Sequence, residues 1–235
     1  MSPLAAWTAF VLAFASLSYA VRFTEGKPQK DVLYQWSTAA NSLIQFAIIA
    51  LIVYAIAGLG NRRQLLALRR PTSWWVALRV GVAIGIGMIA LTSLLGPLLH
   101  PGREQGVTPD FWRPSHAAEY VVNGLVICVV APFVEELTFR GLGYSLLVRY
   151  GRWTAIVLVG VAFGLAHGLV AAFPFLAVFG SALAYLRSRV DSVYPGMIVH
   201  GLFNATALAV AVSGKPEQEN IVRACAGVWS LLLHY

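Results

Sequence analysis

The sequence predicts an all-α fold, a polytopic transmembrane bundle of about eight helices. Two observations carry that class. Of the 235 residues, 58% are hydrophobic and only 11% are charged, with mean hydropathy +0.71. A soluble domain carries about 25% charged residues. The apolar residues also fall in runs near the roughly 20 residues that cross a hydrocarbon core about 30 Å thick. No polar linker divides these runs, so one compact membrane domain is expected. Its motif-free helices occupy 1–116, a motif-bearing core 117–212 and a last helix 213–235. The net charge of +7 and pI near 9.7 are those of basic loops facing the cytoplasm and anionic lipid. Nucleic acid is not an expected partner. Cys128 and Cys225 both lie in apolar stretches and read as small packing residues, with no disulfide or zinc-knuckle spacing.

The helices follow in order. The first run is 3–21, where Ser18-Tyr19-Ala20 resembles a small-residue cleavage site. No basic residue precedes the run, so a retained helix is favoured over a signal peptide. The second run is 41–60 and the third 74–99. Between them NRRQLLALRRPTS, with four arginines, is the strongest cytoplasmic signal. A fourth stretch runs from Ala118 to Arg149, and its 32 residues would span roughly 48 Å. It must kink, tilt or end in the interface, and Pro132 is the expected kink. Later runs cover 153–170, 172–186, 193–212 and 221–233. With the arginine loop inside, both termini are expected in the cytoplasm. Trp74, Trp75, Trp112 and Trp153 fall near helix ends, as interfacial aromatics do. Gly81, Gly85, Gly160 and Gly164 read as small-residue helix contacts.

A few polar residues sit too deep for this scheme. Glu135 and Glu136 lie in the fourth stretch, His167 in the fifth, and His200 with Asn204 in the seventh. Arg79 is nearer a helix end and can snorkel. A charge at a helix centre costs about 2.5–3.5 kcal/mol on insertion scales, so such groups face partners or a wet cavity. Counted along the helices from the arginine-bearing ends, Glu135 and His167 are each about 21 Å in, His200 about 16 Å and Asn204 about 22 Å. Three helices thus bring polar groups to one level. Glu136 and Arg140 are i,i+4 and can pair. Glu135 lies about 100° away round the helix and lacks that partner, which leaves it free to act as a general base. His200 and Asn204 share one face, where their N–H groups could stabilise an oxyanion. Phe163, four residues before His167, reads as packing against the imidazole.

These residues resemble a known set. EELTFRG (135–141) resembles the EExxxR motif of the CPBP (CAAX prenyl protease and bacteriocin-processing, or Abi) family of intramembrane proteases. Phe163-Gly-Leu-Ala-His167 resembles that family's FxxxH motif, and His200-Gly-Leu-Phe-Asn204 its HxxxN motif. The resemblance covers about 117–212. It implies a bundle of about eight helices whose cavity cleaves a peptide bond. Glu135 and His167 would act on a water, His200 and Asn204 would sit at the oxyanion, and Glu136 and Arg140 would support them.

Glu135, His167 and His200 could instead supply three ligands to a catalytic zinc, although the helical HExxH pattern is absent. A metal-free activated water is the preferred reading. The implied partners are the bilayer and a peptide or protein substrate, prenylated or not. The expected location is a prokaryotic plasma membrane, with the endoplasmic reticulum as the alternative. Two other function classes compete: a non-catalytic scaffold or bacteriocin self-immunity factor of the same family, and a transporter with a proton-coupled carboxylate.

Overall fold

A computed structural model describes residues 1–25, 31–99 and 112–213. The described chain is all-α, as expected. Its main helices are α1 (Pro3–Glu25), α2 (Trp36–Ala57), α3 (Trp74–Leu99), α4 (Pro114–Tyr150), α5 (Arg152–Ala166), α6 (Phe173–Val190) and α7 (Tyr194–Ser213). The expected helix at 221–233 and Cys225 lie outside the described residues. By length and composition α1, α2, α3 and α4 can each cross a membrane. The protein is an integral membrane protein.

Local chemistry sets the boundaries. Asn61 caps the short helix Arg62–Leu65, its side chain accepting from the Gln64 N–H at 3.2 Å. Gly151, at φ 113°, separates α4 from α5 in a conformation that costs glycine little. Asp191 ends α6 in the left-handed region. Trp74, Trp75 and Trp153 all lie exposed at helix ends.

The expected break at Pro132 takes a particular form. α4 stays helical throughout but passes through two π-helical segments, Val126–Val130 and Leu137–Gly143, with the α-helical Ala131–Glu136 between them. In the π register each carbonyl receives the N–H five residues on. For Ile127 that residue is Pro132, which has no N–H to give. Asn204 of α7 supplies the missing donor, its Nδ2 lying 2.8 Å from the Ile127 carbonyl oxygen. The neighbouring Cys128 carbonyl faces Gly201, where a Cβ would fall 2.4 Å from the oxygen. α7 therefore seats against α4 where proline has opened the backbone.

α5 and α6 pack through glycine. A Cβ on Gly160 would lie 2.0 Å from Ser181 Oγ and 2.7 Å from the Ala177 carbonyl oxygen, and one on Gly180 would meet Gly160 itself. Gly164 approaches Phe173 and Ala177, and Gly81 approaches Val199. Gly85 departs from expectation: a Cβ there meets nothing within 4 Å. α3 has turned that glycine away from its neighbours.

The basic loops are tied together. Arg69 donates from Nε to the Asp191 carbonyl and from Nη2 to its carboxylate, both at 2.8 Å. Arg187 Nη1 reaches the same carboxylate at 2.7 Å. Arg152 bonds Ser188 across α5 and α6.

Candidate active site

The acidic pair ends the α-helical stretch Ala131–Glu136 of α4, and Arg140 follows in the second π segment. Glu136 and Arg140 are both fully buried and joined by a 2.9 Å bond from Nη1 to Oε1. Arg140 Nη2 donates to the Gly180 carbonyl at 3.0 Å. Its guanidinium carbon also lies 4.3 Å from the centre of the Phe163 ring, within cation–π range. The other Glu136 oxygen, Oε2, has no hydrogen-bond partner among the described residues. It lies where a Cβ on Gly196 would be 2.4 Å away. Only glycine at the start of α7 lets the carboxylate fit.

His200 stands between the two glutamates. Its Nδ1 lies 3.2 Å from Glu136 Oε1, and its Nε2 lies 3.7 Å from Glu135 Oε2. The first is a hydrogen bond and the second an ion-pair distance. Glu136, already paired with Arg140, accepts from Nδ1–H, so Nε2 is the nitrogen turned to Glu135. The glutamates thus sit in different surroundings: Glu136 is sealed in, whereas the Glu135 side chain keeps 20% exposure.

His167 ends α5. Its Nδ1 is 2.7 Å from the Phe163 carbonyl oxygen. A carbonyl can only accept, so Nδ1 carries the proton, and Nε2 of the neutral ring is left as a base or ligand. Phe163 orders both imidazoles. Its ring centre is 4.6 Å from that of His167 and 5.7 Å from that of His200, both edge-on.

Glu135 and His167 line one cavity of about 220 Å³. Its far wall comes from the motif-free helices: Phe10, Phe14 and Ser18 of α1, with Gln45 and Phe46 of α2. His200 and Asn204 do not line it. Asn204 spends one N–H on the Ile127 carbonyl.

Among the described residues no three His, Cys, Asp or Glu side chains converge closely enough to hold an ion. Glu135, His167 and His200 are not gathered as a zinc shell in this arrangement.

Residues 117–206 match the family model described as Rce1-like, type II CAAX prenyl endopeptidase. That segment is similar to the Rce1-like family. The family resemblance read from the three motifs is borne out, over a stretch that contains all of them. No curated protein and no solved structure matches the chain. The Rce1-like segment supplies every motif residue but only part of the cavity, since α1 and α2 lie outside it.

Several site residues escaped the sequence reading. Phe179 stacks edge-on to His200 at 5.3 Å and face-on to Phe203 at 4.5 Å. Gly180, Gly196 and Thr138 support the acidic pair and its helix; the Thr138 carbonyl accepts from Trp7 Nε1 at 2.9 Å. None is a defining residue of a motif; Thr138 occupies an unspecified position of EExxxR. The one available signal was Pro195-Gly196 at a helix start, and that pair is common for backbone reasons alone.

Proposed function

We propose that the protein is an intramembrane endopeptidase of CAAX-protease type, hydrolysing a peptide bond with a water activated by Glu135 and His167. The observation that supports this most is the division of labour between the glutamates. Glu136 is buried against Arg140, whereas Glu135 and His167 face one cavity with unspent proton acceptors. The Rce1-like match supports the reaction class.

In this mechanism His167 Nε2 and Glu135 hold the water. Its oxygen bonds to the scissile carbonyl carbon as its proton passes to Glu135. The C–N bond then breaks, and Glu135 returns that proton to the leaving amine nitrogen. His200, whose Nε2 lies 3.7 Å from Glu135 Oε2, stabilises the oxyanion, and Asn204, bonded to the Ile127 carbonyl, holds α7 and its histidine in place. Glu136, Arg140 and Phe163 hold His200 and His167 in position. An Nε2–H donor on His200 requires a doubly protonated ring, and the flanking carboxylates supply the balancing charge. The arginine-rich end is the cytoplasmic one under the positive-inside rule, and the cavity is reached from that side of a plasma membrane.

The test compares peptide termini in host membranes carrying wild-type protein or Glu135→Gln at equal abundance. Termini that are present with wild type and fall by about 100-fold or more in the variant are expected. Termini equally abundant with both forms overturn the reading and favour a scaffold.

A further inference from the structure

The polar groups of the cavity can be accounted for one by one. Ser18 Oγ donates to the Phe14 carbonyl at 3.0 Å and Thr138 Oγ1 to the Val134 carbonyl at 2.7 Å, each within its own helix. His167 Nδ1 is taken by Phe163. Apart from Glu135 and His167 Nε2, one polar side chain of the wall is left: Gln45.

Gln45 is an unusual residue for its place. It lies nine residues after the start of α2 and twelve before its end, so about 14 and 18 Å from the two ends. That is too deep for a short carboxamide to reach the bulk water at either membrane face. The side chain is exposed and has no hydrogen-bond partner among the described residues. Polar groups at such depth need partners. Its neighbours on the cavity wall, Phe10, Phe14, Phe46 and Ile49, carry no side-chain polar group to answer it.

We propose that Gln45 forms a backbone-binding subsite for the substrate peptide, across the cavity from Glu135 and His167. A carboxamide has an acceptor oxygen and two N–H donors, the complement of a peptide group, which offers one N–H and one carbonyl. A peptide held there lies between α2 and the reacting pair, with its side chains against the phenylalanines. The subsite rests on the protease reading, and it assigns to the motif-free helices the task of holding the chain that the Rce1-like segment cuts. It makes no contact that depends on side-chain identity, so it favours no particular residue at the cut.

The experiment uses full-length protein in nanodiscs and a fluorescent farnesylated peptide ending in Cys-aliphatic-aliphatic-X. Binding is read by anisotropy on Glu135→Gln protein, and cleavage on the wild type. Gln45→Met, which keeps the length and removes both hydrogen-bonding functions, is expected to weaken binding about tenfold. It should also raise KM with kcat held within about threefold, the signature of lost uniform binding. A matched peptide series replaces each non-scissile amide in turn by an ester, removing one N–H. With Gln45 present, one ester position should weaken binding about tenfold; with Gln45→Met the same ester should cost nothing further. Unchanged affinity in Gln45→Met, or losses that simply add, overturn the subsite. The ester series on protein with native Gln45 does not depend on the variant's folding. Absent cleavage with the binding coupling intact would remove the protease reading and leave the subsite standing.

Discussion

Arg140 is enclosed by a carboxylate, a backbone carbonyl and an aromatic face, with no exposed surface. Its planar fork meets the Glu136 and Gly180 acceptors at once, which a lysine's single ammonium cannot copy. Arg140→Met leaves the buried Glu136 carboxylate with His200 as its one remaining partner among the described residues, a loss of about 3–5 kcal/mol. Denaturant titration in detergent should show it, and a loss under about 1 kcal/mol would mean that the pair carries little. The i,i+4 spacing of Glu136 and Arg140 made this bond legible in the sequence. The third partner was not, because Gly180 contributes only its carbonyl. Gly196 was hidden for the same reason: what matters there is the missing Cβ beside Glu136 Oε2.

Pro132 and Asn204 belong to different helices, yet the structure makes them one unit. Proline removes the N–H that would serve the Ile127 carbonyl, and Asn204 replaces it. Asn204→Leu alone leaves a half-buried carbonyl unpaired and should cost about 1–3 kcal/mol. In a Pro132→Ala background the backbone can serve that carbonyl itself, so the same change should cost clearly less. Thermal unfolding of the four proteins of this cycle measures the difference; equal costs in both backgrounds would separate the two residues. α5 and α6 give a simpler case. Gly160→Ala sets a Cβ against backbone atoms of Ala177 and Ser181, and overpacking of this kind costs about 1–3 kcal/mol. A lowered melting temperature would register it, whereas Gly85→Ala, with open space around it in a helix interior, should leave the midpoint the same or slightly higher.

Across the whole molecule, the loop 61–73 is latched to the link between α6 and α7. Arg69 and Arg187 converge on Asp191, Ser192 bonds the Arg69 carbonyl, and Leu66 packs its backbone on Gly141 of α4. The latch therefore joins the helix of the glutamates to the start of the helix of His200. Partial burial pushes the Asp191 carboxyl up, but hydrogen bonds and charge from Arg187 and Arg69 outweigh it and hold it below the usual carboxylate range. A carboxylate depressed in the folded state adds stability above its ordinary range and loses it as pH falls through the folded value. Wild type should exceed Asp191→Asn in thermal midpoint at neutral pH, and the gap should close on acidification below the usual aspartate range. A gap independent of pH would assign the latch to shape alone.

The sequence by itself determined the class of molecule, the placement of its described helices and the motif set. Hydrophobic run length, arginine-bearing loops and i,i+4 spacing are local properties, and the Rce1-like match, over 117–206, covers the three motifs. The tertiary structure decided which groups face one another. Whether Glu135 opens to a cavity while Glu136 is sealed depends on where α1, α2 and α7 pack, and no spacing within α4 encodes that. Gln45, Phe179, Gly180 and Gly196 entered the site for the same reason. Phe179, Gly180 and Gly196 act through a surface, a carbonyl or an empty Cβ position, and the place proposed for Gln45 depends on the cavity it lines; those acquire meaning only once another helix lies against them.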